Sequence, residues 1–173
     1  MIYFTSDLHF YHDNIIKHTG RPFPNSEIMN KRLIANWNNK VNANDEVYIL
    51  GDLTMKSPEY AEEILSQLKG TKHLIRGNHD RFVRSPSFNR HLFKSVSDYK
   101  TITYNSTYFI LCHYPFLEWD GFYRGSFHLH GHQHNKADYN CENKKNGIRR
   151  YDVGVDANNF FPASIEEIIR FFL

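Results

Sequence analysis

One pattern governs what this chain can become: a short apolar run stops abruptly and hands over to side chains that have no place in a core. Its plainest instance lies in Lys72 to Asp80, where Leu74 and Ile75 lead to Gly77 and then to Asn78, His79 and Asp80. A buried strand that delivers polar groups at its C-terminal end is where open α/β sheets place their chemistry. Asn78 offers an amide oxygen, His79 an imidazole that can hold or give a proton near neutrality, and Asp80 a carboxylate able to orient that ring. Gly-Asn-His-Asp is by itself also a good turn. Four other segments end in the same kind of residue, and it is the set that carries information.

Ile2 to Thr5 is β-prone and runs into Ser6-Asp7-Leu8-His9, whose carboxylate and imidazole, two residues apart, share one side of extended chain. His12, Asn14 and the rigid segment Arg21-Pro22-Phe23-Pro24 follow. Met29, Leu33, Ile34 and Trp37 recur at helical spacing and predict a helix from Ser26 to about Asn39. Glu46 to Leu50 reads as a strand that stops at Gly51-Asp52. Ser57-Pro58-Glu59 opens a helix with a buried face of Ile64, Leu65 and Leu68, and Gly70 ends it. The resulting strand-helix-strand-helix-strand order requires parallel pairing through right-handed crossovers.

Beyond Asp80 one or two short helices are expected. Tyr99–Tyr104 and Thr107–Cys112, separated by Asn105-Ser106, form a hairpin signal that runs straight into His113. A loop dense in aromatics, Tyr114 to Ser126, precedes a short strand, Phe127 to Leu129, and then His130-Gly131-His132-Gln133-His134. Asn140 to Asn146 is polar and is expected to be an exposed loop. Tyr151 to Val155 is a strand ending at Asp156, and Ser164 with Glu167 makes a capping box before a C-terminal helix.

Eleven histidines against two cysteines in 173 residues mean that any metal is held by imidazole and carboxylate rather than thiolate. Cys112 and Cys141 have no paired spacing, so a reduced, cytoplasmic protein is expected. No run of ~18 apolar residues occurs. A formal charge of +2 is too small to argue for a nucleic-acid or membrane partner. With no repeat or linker, the chain reads as one domain over residues 1–173.

Strand ends in one sheet share an edge, so Asp7 and His9, Asp52, Asn78 and His79, His113, and His132 and His134 can converge. Hard oxygens and borderline nitrogens, with one carboxylate central enough to bridge, suit two first-row divalent ions ~3.5–4 Å apart better than one structural zinc. In their order and composition these motifs resemble the calcineurin-like metallophosphoesterase superfamily. The resemblance covers nearly the whole chain and is nearest to small bacterial and phage-type members. It implies an α/β fold, a four-layer α-β-β-α sandwich of two mixed sheets flanked by helices. It also implies that Asp7, His9 and His134 hold one metal, that Asn78, His113 and His132 hold the other, and that Asp52 bridges them.

On that resemblance the cofactors are two divalent ions, with Mn²⁺ favoured over Fe, Zn, Ni or Mg. A water acidified by the two metals attacks phosphorus in line, while His79 protonates the leaving oxygen and Asp80 holds its ring. Arg21 and Arg124 are candidate anion contacts, or surface arginines. The loop from Tyr114 to Phe127, with both ends pinned beside ligands, is a candidate substrate wall, and Trp119 a candidate stacking platform; packing beneath the loop is the alternative. Protein phosphatases of the superfamily continue Gly-Asp with Asp-Arg-Gly, whereas Leu53-Thr54-Met55 stands here. The DNA-repair members add a capping domain for which this chain has no residues, so no duplex nucleic acid is expected. A small phosphodiester or nucleotide is the expected substrate, with a phosphomonoesterase or a non-catalytic scaffold as alternatives.

Overall fold

Strands β1 (Ile2–Thr5), β2 (Glu46–Ile49) and β3 (Thr71–Ile75) pair in parallel, as the alternating order requires. The structure, a computed structural model, describes all residues 1–173. Helices α1 (Asp13–Thr19), α2 (Ser26–Lys40) and α3 (Pro58–Gln67) lie in the connections between these strands. A short β4 (Ser95–Ser97) extends the sheet beyond β3, and β9 (Ala163–Ser164) pairs antiparallel at the β1 edge. The second sheet begins with the expected hairpin, β5 (Tyr99–Tyr104) and β6 (Thr107–Cys112). Asn105 and Ser106 both adopt positive φ, 46° and 63°, as a two-residue hairpin turn of the primed kind requires. β7 (Phe127–His130) and β8 (Arg150–Asp152) add in parallel, so both sheets are mixed.

Side-chain alternation divides the first sheet's two faces. Tyr3, Val47, Ile49 and Leu74 join the core formed with α1–α3, whereas Phe4, Tyr48, Leu50 and Ile75 meet Phe109, Leu111, Phe127 and Leu129 of the second sheet. Phe4 stacks on Phe109 with ring centroids 6.5 Å apart. Helix α4 (Ala137–Lys145) packs along β8, and α5 (Ile165–Phe172) inserts Ile165 and Ile168 into the core between the sheets. The result is an α-β-β-α sandwich. At the start of α5 the Ser164–Glu167 capping box forms in both directions.

Four features depart from the sequence reading. Asn140 to Asn146 is not an exposed loop: Ala137–Lys145 is helical, and Asn140 and Asn143 are buried. The Asn140 amide donates to the Asp152 carbonyl at 3.0 Å and accepts from its N–H at 2.8 Å, standing in for a strand partner at the β8 edge. Polar residues buried for this purpose leave no hydrophobic period to detect. Helix α1 occupies a segment to which the sequence assigns no element; its seven residues bury just Ile15 and Ile16, too little for periodicity to show. Ser57 stands at the N-cap of α3, but its hydroxyl bonds Glu59 and caps no backbone N–H. Finally, β4 and β9 are too short to announce themselves. No helix is long and apolar enough to cross a membrane.

Candidate metal centre

The C-terminal ends of β1, β2, β3, β6 and β7 deliver their polar residues to one edge of the sandwich. Backbone bonds fix this edge: the Asp7 N–H donates to the Gly51 carbonyl at 3.0 Å, His9 to Asp52 at 3.0 Å, and Gly131 to His113 at 3.0 Å. Asp7, His9, Asp52, His132 and His134 all adopt positive φ, between 48° and 74°. Such backbone costs of order 1–3 kcal/mol per residue where no glycine relieves it, and it persists where surroundings over-determine it. The loops also pass unusually close. A Cβ on Gly77 would strike Asp52, and one on Gly131 would strike Ser6 and Asp7.

Two groups of ligand atoms result, Asp7 with His9 and His134, and Asp52 with His113 and His132, each gathered within 4.8 Å. Asp52 stands between them: its Oδ2 is 3.6 Å from His9 Nε2 and 3.5 Å from His113 Nε2. Asn78 Oδ1 lies 3.1 Å from His113 Nε2 and so joins the second group.

The donor set fits divalent cations. Asp7 Oδ1 and both ring nitrogens of His9 are buried with no hydrogen-bond partner, an arrangement that protein interiors rarely tolerate unless an ion or water completes it. Burial, reinforced by Asp152 and Asp52, pushes the Asp7 carboxyl up to about 8 although His134 draws it down. Burial and the neighbouring His134 and Arg21 press His9 down to about 2. Cations among these groups would favour the ionised carboxylate and the neutral imidazole together.

Partners behind the ligands set their tautomers. His113 Nδ1 is 2.8 Å from the Leu50 carbonyl, which can only accept, so Nδ1 carries the proton and Nε2 keeps its lone pair for the centre. His134 Nδ1 is 3.1 Å from Asp156 Oδ2 and is held in the same sense. Burial opposes the charge on Asp156, yet hydrogen bonds from His134 and Arg21 hold its carboxyl well below the usual range. Nothing in the sequence identified Asp156 as the partner of His134.

His79 borders the centre, with Nε2 4.0 Å from Asp52 Oδ2 and a side chain that is 35% exposed. Its ring has no hydrogen-bond partner; its backbone N–H donates to Asp52 Oδ1 at 2.9 Å. Four expectations are corrected. Asp80 does not hold the His79 ring. It is buried, and its carboxylate accepts the backbone N–H groups of Asp52, Leu53 and Gly77 at 2.8–2.9 Å, tying the two ligand loops together. Arg21 is no anion contact: its buried guanidinium pairs with Asp156 at 2.8 Å and donates to the Asp7 and Leu8 carbonyls. Trp119 is buried, edge-on to Phe122 and bonded through Nε1 to Ser126 Oγ at 2.9 Å, so it packs under its loop and offers no stacking face. Arg124 pairs with Asp120 on the surface and lies near the β5–β6 turn, at the opposite end of the second sheet. Of the aromatic loop it is Tyr114 that reaches the centre, its ring 4.8 Å from that of His132.

Comparison with known proteins agrees with this architecture. Residues 1–162 match the family model described as calcineurin-like phosphoesterase. The uncharacterized protein MJ1445 of Methanocaldococcus jannaschii is 40% identical over 177 residues, covering 98% of this chain and 89% of that protein. The gene 66 protein of Mycobacterium phage D29 is 28% identical, over 90% of this chain and 88% of its own. Among solved structures, a protein of unknown function from Aquifex aeolicus, AQ665, superposes with a TM-score of 0.79 at 28% identity, covering 98% of both chains.

Proposed function

The chain belongs to the calcineurin-like phosphoesterases, and on that premise we propose that it hydrolyses a small phosphodiester or nucleotide at a centre of two divalent cations. The single observation that carries this reading is Asp52, whose one carboxylate oxygen is within 3.6 Å of a ligand nitrogen in each group. Asp7, His9 and His134 would hold one ion and Asn78, His113 and His132 the other, with Asp52 placed between the two groups. Mn²⁺ is the expected metal. When bound, the cations supply Lewis-acid charge toward the phosphoryl oxygens and lower the pKa of a water to near ~7.

The chain's own residues do the rest. His79 has no partner to occupy its ring and faces the open side of the centre, so it serves as the general acid that gives a proton to the leaving oxygen. Asp80 acts one step removed, by holding the Gly77–Asp80 turn against the Asp52 loop. Asp156 and the Leu50 carbonyl keep two imidazoles in the tautomer that presents Nε2.

Metal-free protein titrated with Mn²⁺, Ni²⁺, Zn²⁺ and Mg²⁺, and assayed on nitrophenyl mono- and diesters, tests this reading. Two equivalents should bind and diester turnover should appear with them. Asp52→Ala should reduce the stoichiometry and the activity together, because two cations without a shared carboxylate repel across a short gap. Wild-type turnover by Asp52→Ala would sink the two-metal reading.

A further inference from the structure

Two clefts open from the centre, one on either side of the Asn78–His79 peptide. His79 lines the first, about 570 Å³, together with His9, His134 and the α1 side chains Lys17 and His18. Asn78 lines the second, about 470 Å³, with Arg81, Arg84 and Tyr114. A monoester has a single arm and needs a single cleft. Space on both sides suits a diester with both arms held.

The second cleft has a specific chemistry. Arg81 and Arg84 are the first and last residues of one 3-10 turn, where side chains three apart eclipse and share a face. Both are exposed. Neither has a carboxylate oxygen within 4.0 Å, whereas the adjacent Arg76 is clamped by Asp98. The remaining carboxylate of this cleft, Asp80, is turned onto backbone N–H groups. Two neighbouring guanidinium groups with no anion of their own are suited to phosphate.

Resting on the phosphoesterase reading above, we propose that the substrate is a phosphodiester whose retained arm carries a second phosphate, seated on Arg81 and Arg84. The leaving arm lies in the first cleft, because His79 lines that cleft and must reach the departing oxygen. Hydrolysis breaks the bond from phosphorus to that oxygen and forms one to the oxygen of water. The leaving arm departs as an alcohol with a proton from His79, and a proton released by the water restores His79. The product is a monoester that still bears its second phosphate.

A matched pair of substrates separates this from simple phosphodiester hydrolysis. Thymidine 5′-(4-nitrophenyl phosphate) and its 3′-phosphorylated counterpart share the leaving nitrophenol and differ only in the second phosphate. The 3′-phosphorylated ester should have a KM lower by about tenfold, the scale of one charge-assisted contact. In the Arg81→Ala/Arg84→Ala variant that ratio should fall to near one. Calorimetry on metal-free protein gives a readout independent of turnover: thymidine 3′,5′-bisphosphate should bind about tenfold more tightly than thymidine 5′-phosphate, and the double variant should lose the preference. Equal binding of the two nucleotides by the wild type, or a preference that survives in the variant, would overturn the arginine site. Failure to hydrolyse either ester would instead count against the phosphoesterase reading, and the binding comparison would still decide the arginine site. Since both arginines are exposed, an unchanged melting temperature verifies the variant's fold.

Discussion

His134 answers to two neighbours at once. Its Nδ1 is bound to Asp156, and its Nε2 stands 3.9 Å from Asp7 Oδ1 in the first ligand group. Asp156→Asn keeps the shape but removes the charge that fixes the ring, so metal affinity should weaken by about 10–100-fold at one of the two sites, as a calorimetric titration would register. A change shared equally by both sites would mean a general loosening, since Arg21 would also lose its buried partner. His79 behaves differently because its ring, though packed beside Asp52 and His9, makes no hydrogen bond to either. His79→Gln should lower kcat by ~10²–10⁴-fold on alkyl diesters, with metal content intact and a smaller loss for nitrophenol esters, which need little protonation. The same loss for every leaving group would remove it as the acid. Sequence makes the convergent residues legible because each follows an apolar run that can only be a strand. It conceals the roles of Asp80 and Arg21 for a spatial reason. Asp80 finds its acceptor duty on Asp52 and Leu53, 28 and 27 residues away, and Arg21 finds Asp156 across 135 residues.

Legibility at the level of elements follows how each one is buried. Strands β1–β3 and the hairpin show because they are apolar runs, and α2 shows because Met29, Leu33 and Trp37 keep helical period against the core. Helix α4 was invisible because what it buries is Asn140 and Asn143, and α1 because two isoleucines make no period. The aromatic loop before β7 misled for a related reason, since aromatic density announces burial or binding without saying which. Here Trp119 sits against the outer face of the second sheet, its ring 5.2 Å from the buried His128. Trp119→Ala should therefore cost about 3 kcal/mol in chemical denaturation, the ordinary scale for emptying a buried indole, and should not discriminate among substrates. A selective rise in KM for nucleotide esters, with stability unchanged, would return Trp119 to the role of a substrate wall.

Across the whole molecule, each ligand group draws on both sheets: Asp7 and His9 from the first with His134 from the second, Asp52 from the first with His113 and His132 from the second. Cations held there would act as staples between the layers and would bind only the folded state. Free metal at a hundred times its dissociation constant should add about 2.7 kcal/mol of stability for one site, and a chelator should remove it, visible as a lower melting temperature. Binding needs the Asp7 carboxylate ionised and the His134 imidazole neutral. Burial pushes Asp7 up to about 8; burial draws His134 down, yet Asp156 and Asp7 hold it above its ordinary value. The metal-dependent part of that stability should therefore fade as pH falls below about 8. A melting temperature indifferent to chelator would argue against ions spanning the sheets. The same wiring has a consequence in time. Asp7 and His9 leave the ribosome well before their partner His134, which is 127 residues beyond Asp7, and Asp52 waits for His113 and His132. Loops of this length close late and at an entropic cost. A nascent chain can therefore expose its first ligands without being able to retain an ion in the complete first group until residue 134 has emerged. Metal acquisition at the proposed centre would then follow the emergence of residue 134 rather than seed the folding of the strands before it.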